Sequence, residues 1–262
     1  MIALALLLTS PAFEFVKVDA GKYMVGKSDR LENYRRAVTL KSYEIAKYET
    51  TNEQFEEFVK ATGYVTDAEK YHNAMVFEPP LPEFRWKQDP TAYWRYPNGK
   101  TRGDLTGKEK HPVTCISFRD ALAYCKWAGV RLPTLDEWEV ACRAGTKTDY
   151  FFGSDQTQIG QYANIWHGRD HTKPDSSDGF MYTSPVGTFK PNPLGLYDMY
   201  GNVFEFCSGK LPQEKLSPDV AHARGGSWWC SKNSCCFYTS MDIGKANIRV
   251  SFSNQGFRVA RG

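Results

Sequence analysis

The sequence predicts an α+β fold: one loop-rich domain with little regular secondary structure. Three observations point there. Aromatic residues make up 15% of the 262 residues and are accompanied by 21 glycines and 14 prolines, the composition of irregular segments pinned by buried rings. Helix signals are short and confined to the first 145 residues, and the chain beyond residue 146 carries no helical period. No internal repeat or low-complexity linker divides the sequence, so residues 13–262 read as one domain.

Each element has its own signal. Residues 13–18 and 38–48 alternate or cluster β-branched and aromatic residues as strands do, with Gly21 and Gly26 marking turns between them. Thr51 and Gln54 form a capping box that opens a helix through residue 61, with Phe55, Phe58 and Val59 on one face and Gly63 as its stop. Ser117 caps a second helix over residues 118–128, ended by Gly129, and Thr134 with Glu137 opens a third that runs to Gly145. Residues 74–112 form a long irregular segment. The spaced Phe77, Phe84, Trp86, Tyr93, Trp94 and Tyr96 predict that it is ordered and packed on the body.

Composition also excludes some functions. The net charge of +3 is spread along the chain with no basic block, which argues against a nucleic-acid partner. The N-terminal run from Met1 to Leu8, followed by Ser10-Pro11-Ala12, has the look of a clipped signal peptide over residues 1–12 and suggests a secreted or periplasmic protein; a buried N-terminal strand is the alternative. No other stretch has the roughly 18 apolar residues of a membrane span.

The chemistry centres on cysteine. The chain has seven, Cys115, Cys125, Cys142, Cys207, Cys230, Cys235 and Cys236, and an odd total cannot pair fully within one chain. Cys230 and Cys235 flank four residues just behind Arg224-Gly225-Gly226-Ser227-Trp228-Trp229. Thiolates at this spacing can hold a soft metal ion or close a disulfide. Adjacent side chains on a strand diverge, so Cys236 could join Cys235 on one metal only across a bent backbone.

A set of ordered motifs runs through the chain: Tyr48-Glu49-Thr50-Thr51-Asn52, His111-Pro112-Val113, Tyr124-Cys125-Lys126-Trp127-Ala128-Gly129, Arg131-Leu132-Pro133-Thr134, Ala163-Asn164-Ile165-Trp166, Gly195-Leu196-Tyr197-Asp198, Gly201-Asn202-Val203-Phe204-Glu205, Arg224-Gly225-Gly226-Ser227 and Gly256-Phe257-Arg258. With them the chain resembles the formylglycine-generating enzyme (sulfatase-modifying factor) family over nearly its full length. The resemblance implies the compact α+β fold of that family, related to C-type lectins. It also implies a copper(I)-dependent oxidase that uses O₂ to convert a cysteine in a Cys-x-Pro-x-Arg segment of an unfolded sulfatase, or another thiol peptide, to formylglycine.

By the same resemblance Cys230 and Cys235 would hold copper(I), with Cys236 a less secure third ligand. Ser227 would shape the oxygen side of the site, and Trp228 and Trp229 would wall the pocket. Two calcium sites are implied as well: Asn164, Ile165, Asp178 and Phe180 for the first, and Asp198, Gly201, Val203 and Glu205 for the second. The chain also departs from the family pattern. No arginine follows Cys235 until Arg249, Ser231 stands where the family often has His, and cysteines that would partner Cys125 and Cys142 near Ser240 and Val259 are absent. Two alternatives therefore stand beside the oxidase: a copper-binding relative with different or no oxidase activity, and a non-catalytic lectin-like binding module.

Overall fold

All three expected helices form with their predicted caps in the computed structural model of the chain, which describes residues 12–29, 33–82, 84–212, 214–215 and 217–262. The expected leader falls on residues 1–12, almost wholly outside the described part. Helix α1 spans Asn52–Thr62, α3 spans Phe118–Ala128 and α4 spans Leu135–Arg143. In each, the cap hydroxyl accepts from the third helical N–H and that residue's side chain answers the cap N–H, satisfying two donors that the first turn would otherwise leave free. Gly63 and Gly129 end α1 and α3 in the left-handed conformation; α4 ends one residue before Gly145, at a left-handed Ala144. The five-residue α2, Asp67–Tyr71, was not expected, because it is too short to show a period, although Thr66 and Glu69 form the same box.

The strands are short. They are β1 Phe15–Val18, β2 Gly21–Val25, β3 Arg36–Leu40, β4 Tyr43–Ala46, β5 Met75–Val76, β6 Lys87–Gln88, β7 Phe204–Cys207, β8 Val220–Arg224, β9 Gly244–Asn247, β10 Gln255–Gly256 and β11 Ala260–Arg261. The single strand read over residues 38–48 is two. At the exposed Lys41 and Ser42 the chain leaves the β2–β3 hairpin and enters a separate sheet, ordered β1-β4-β11. A second sheet, ordered β10-β7-β8-β9, lies in the C-terminal half, with β7, β8 and β9 antiparallel and β10 parallel to β7.

Among the described residues two large hydrophobic clusters and two smaller ones fill the interior, and the large ones matter most for the site. One joins Phe55, Phe58, Tyr124, Phe206 and Phe257, with Phe55 stacked on Tyr124 at 5.8 Å; it seats α1 and α3 on the sheets. The other gathers Ile45, Trp138, Tyr200, Cys230 and Tyr238, and so reaches the cysteine loop directly. The irregular 74–112 segment is anchored as expected, with Phe77 and Trp94 buried, while Phe84 stays 65% exposed.

Between the clusters lies a buried ion pair. Arg258 donates from Nε to Glu205 Oε2 at 2.6 Å and from Nη2 to Oε1 at 2.7 Å, and both side chains are fully enclosed. The same guanidinium reaches the carbonyls of Ala46 at 3.2 Å and Tyr197 at 2.9 Å, tying β4 and the 197–205 loop to the C-terminal segment. Arg258→Met leaves Glu205 buried without its partner, so thermal or denaturant unfolding should show a loss of about 3–5 kcal/mol. A loss below about 1 kcal/mol would show that the pair is not a structural tie.

Candidate active site

The cysteine loop is built on glycine geometry. β8 ends at Arg224, and Gly226 follows with φ +75°; a Cβ there would lie 2.6 Å from Tyr238 Cβ, so the return limb of the loop can pack down only on glycine. The turn then carries Ser227, whose carbonyl accepts from Cys230 N–H at 2.9 Å, while Cys230 accepts from Trp166 N–H at 2.9 Å. Between the cysteines, Ser231 N–H donates to Ser234 O at 3.0 Å and Ser231 Oγ accepts from Ser234 N–H at 3.0 Å. This tight turn folds the segment back on itself.

The fold-back brings Cys230 Sγ and Cys235 Sγ to 2.8 Å, the first fully buried and the second partly exposed. Burial, followed by the neighbouring Cys235, holds the Cys230 thiol well above the ordinary range for cysteine. Ser227 Oγ accepts from Asn254 Nδ2 at 2.9 Å and Trp229 N–H at 3.3 Å and lies 3.9 Å from Cys230 Sγ. With two N–H donors on its oxygen, the hydroxyl hydrogen is left to face the sulfur. Asn254 thus belongs to the site, and no motif in the sequence singled it out.

Cys236 does not join the pair. Cys235 has φ +40°, which turns the backbone so that the neighbouring thiol leaves in another direction, toward the carbonyls of Ser231 and Lys232 at 3.6 Å each. Among the described residues no three His, Cys, Asp or Glu side chains are gathered to hold one ion, and Cys236, the less secure third ligand of the resemblance, lies apart from the pair. Cys115, Cys125, Cys142, Cys207 and Cys230 are buried, Cys235 is half-buried and Cys236 is exposed.

The two tryptophans differ in position. Trp229 lines a cavity that opens onto Cys235, shared with Trp86, Phe204, Phe252 and Asn254. Trp228 stands behind, enclosed, donating from Nε1 to Ser253 O at 3.2 Å and packed edge-on to Tyr182 at 5.0 Å. His171 braces this wall, stacked on Trp229 at 4.3 Å with Nε2 at 2.7 Å from Trp229 O.

The two residue sets implied for calcium meet at one backbone bridge. Asn202 N–H donates to Asn164 O at 2.8 Å, and a Cβ on Gly201, with φ +73°, would lie 2.1 Å from that oxygen. In the first set Asp178 Oδ1 accepts from Phe180 N–H at 3.0 Å; Oδ2 has no hydrogen-bond partner among the described residues and sits 3.3 Å from His167 Nε2. Asn164 turns its amide hydrogens to Tyr182 O at 2.8 Å and Asn202 Oδ1 at 3.2 Å, beside Ile165.

In the second set Glu205 is already committed to Arg258 and to Trp138 Nε1 at 2.7 Å, and Val203 N–H points to Glu49 Oε1 at 3.2 Å. Asp198 Oδ1 is buried without a hydrogen-bond partner among the described residues. Three enclosed carboxylates, Glu49, Asp198 and Glu205, therefore face one guanidinium. Burial raises Asp198 to about 6, and burial with Asp198 and Glu205 nearby raises Glu49 well above the carboxylate range.

The exposure of the thiols sets an order of reactivity. In reduced native protein, iodoacetamide should modify Cys236 first and Cys235 next, with Cys230, Cys115, Cys125, Cys142 and Cys207 labelled only on unfolding. Peptide mapping by mass spectrometry reads this directly, and early labelling of Cys230 would contradict the buried assignment.

The chain matches the model of the sulfatase-modifying factor enzyme 1-like domain over residues 8–262. It is 36% identical to formylglycine-generating enzyme of Mus musculus, covering 94% of this chain and 74% of that protein, and 38% identical to the Thermomonospora curvata enzyme, covering 86% and 84%. It is also 37% identical to the inactive C-alpha-formylglycine-generating enzyme 2 of Mus musculus over 75% of this chain and 67% of that one. In fold it resembles PvdO from Pseudomonas aeruginosa, with a TM-score of 0.68 at 24% identity over 94% of this chain and 93% of that structure. Matched along nearly its whole length by the domain model and by these relatives, the chain belongs to the formylglycine-generating enzyme family.

Proposed function

We propose that the chain is a copper(I)-dependent oxidase that converts a cysteine of a polypeptide substrate, of the sulfatase Cys-x-Pro-x-Arg kind, to formylglycine with O₂. One observation carries the reading: two thiols are held side by side, one enclosed and the other facing a cavity. This donor set fits a soft monovalent ion, for which two thiolates suffice, and a substrate thiol can approach only from the side of Cys235. Copper bound by Cys230 and Cys235 would supply the one-electron chemistry with O₂ that a protein side chain lacks.

The chain's own groups do the rest. Burial keeps Cys230 protonated in the metal-free protein, so binding releases its proton. The Ser227 hydroxyl, fixed by Asn254, faces the resulting thiolate. Trp229 and Trp86 limit water around the reacting carbon. Oxidation of the substrate CH₂–SH removes two electrons and two protons to O₂, and water then replaces sulfur, which leaves as hydrogen sulfide.

A second reading is a copper-binding relative without this turnover. It is favoured by the lack of arginine between Cys235 and Arg249 and by the likeness to a relative named inactive. Calcium belongs to the proposal as a structural ion. Asp198 Oδ1 lacks a hydrogen-bond partner among the described residues, Asp178 Oδ2 faces His167 Nε2 at 3.3 Å, and a cation beside Asp198 would offset the crowding of buried carboxyls that raises Glu49. Glu205 would contribute least, since Arg258 already holds it. Export follows from the apolar N-terminus and is part of the same reading; among the described residues no helix is long and apolar enough to cross a membrane.

Copper-loaded protein offered a Cys-x-Pro-x-Arg peptide in air should yield an aldehyde that captures a hydrazide probe. Cys230→Ala and Cys235→Ala should lower the rate at least about 100-fold, Ser227→Ala by about tenfold, and Cys236→Ala little. Copper binding without aldehyde would leave the second reading, and activity that survives Cys235→Ala would overturn both. Millimolar calcium should raise Tm by several degrees in wild type and less in Asp178→Ala and Asp198→Ala. An unchanged wild-type Tm would remove calcium from the account.

A further inference from the structure

The cavity beside Cys235 has a size and chemistry that bear on what the site accepts. It encloses about 160 Å³. Its walls are rings: Trp86 lies 5.6 Å from Trp229 and 5.5 Å from Phe252. Its floor is made of small residues, since Ala223 and Gly244 are cross-strand partners on β8 and β9 and Ala246 follows two residues on. A Cβ on Gly244 would already lie 3.3 Å from Phe204 Cε1, so the floor has little spare height.

Among the described residues no carboxylate lines this cavity. Lys245, the one charged residue at its edge among the described residues, sends its ammonium to Glu214 Oε1 at 2.8 Å and lays its aliphatic stem along the rim. A guanidinium placed here would be desolvated without a partner, at a cost of several kcal/mol. An apolar cavity of roughly 150 Å³ elsewhere holds one benzene ring. The exposed Phe84, edge-on to Trp229 at 5.0 Å, extends the apolar surface outward from the mouth.

We propose that this cavity is a specificity pocket that takes one bulky apolar side chain, an aromatic ring above all, from the residue next to the substrate's reacting cysteine. The proposal rests on the reading of Cys235 as the point where substrate sulfur arrives. Consecutive Cα atoms are about 3.8 Å apart, so with the thiol at Cys235 the neighbouring side chain comes over the cavity mouth when the bound peptide turns there, since adjacent side chains of a fully extended peptide diverge. Burying a ring there removes apolar surface from water on both partners, and a glycine neighbour forgoes that gain. Trp86, Phe252 and the small floor residue Ala246 are then specificity determinants that touch the substrate without taking part in the chemistry.

The test measures binding apart from turnover. Short peptides with serine in place of the reacting cysteine, and Gly, Leu or Phe on either side of it, are titrated into reduced, metal-free protein while tryptophan fluorescence is followed. Phe on one side should bind at least about tenfold more tightly than Gly, with Leu between. Ala246→Leu, which fills the floor from a half-exposed position, should abolish the preference while circular dichroism stays that of wild type. Trp86→Ala should weaken binding of the Phe peptide more than that of the Gly peptide. Equal affinity for Gly and Phe on both sides, or a preference that survives Ala246→Leu, overturns the pocket. Aldehyde formation, assayed separately with copper-loaded protein and a cysteine peptide, reports on the oxidase reading alone, so failure of either idea leaves the other to its own measurement.

Discussion

The geometry of the cysteine loop depends on one enclosed ion pair, Glu139 with Arg224. Arg224 Nη2 donates to Glu139 Oε2 at 3.0 Å and to Leu135 O at 3.1 Å, and Nη1 donates to Ser240 O at 3.2 Å and Asp242 O at 3.4 Å. Arg224 begins the loop that carries Ser227 and Cys230, while Ser240 and Asp242 end it. One guanidinium therefore fixes both feet of the segment. Glu139 in turn accepts from Gly26 N–H at 2.6 Å, Asn33 Nδ2 at 2.9 Å and Arg143 Nε at 2.9 Å. Burial alone would push its carboxyl up, but Arg224, Asn33, Arg143 and Gly26 outweigh burial and hold it below the usual range.

A chain with so little regular structure needs such ties. Among the described residues the longest helices have 11 residues and the longest strands 5, so the loops that carry chemistry cannot borrow rigidity from extended hydrogen-bonded ladders. Buried side-chain networks replace them. Arg258 and Glu205 do for the 197–205 loop what Arg224 and Glu139 do for the cysteine loop. Tyr200 adds a third tie, accepting from Phe151 N–H at 2.8 Å and meeting Ser240 Oγ at 2.7 Å. Networks of this kind hold a structure tightly only when every member is satisfied, since an enclosed charge that loses its partner costs more than the pair contributes. Among the described residues Asp198 Oδ1 and Arg224 Nε have no hydrogen-bond partner, while Asp178 Oδ2 faces His167 Nε2 at 3.3 Å.

The sequence was most legible where local chemistry decides the outcome. Capping boxes at Thr51 and Thr134 and the cap at Ser117 marked helix starts correctly, because a cap acts within a single turn; at Ser117 the structure completes the box with Asp120. The five-residue α2 had the same box but no room for a period. The break at Lys41 and Ser42 was hidden because both halves of the stretch favour strand and only tertiary pairing separates them. At the site, spacing and resemblance singled out Cys230 and Cys235, and the structure brings their sulfurs together. They left the direction of Cys236 open, since it follows from a left-handed backbone at a cysteine, a conformation that residue type does not announce. The cavity was illegible because Trp86, Phe204, Ala223, Phe252 and Asn254 meet only through the fold.

If the Glu139–Arg224 pair sets the spacing of the two thiols, it must also set their affinity for a soft metal. The direct measurement is a titration of reduced protein with copper(I) in competition with a chromophoric chelator, for wild type, Glu139→Gln and Cys230→Ser. Wild type should bind one ion per chain, Cys230→Ser should lose that site, and Glu139→Gln should bind at least about tenfold more weakly while circular dichroism shows the fold retained. Equal copper affinity in folded Glu139→Gln and wild type would contradict the account, as would a wild-type protein that binds no copper(I).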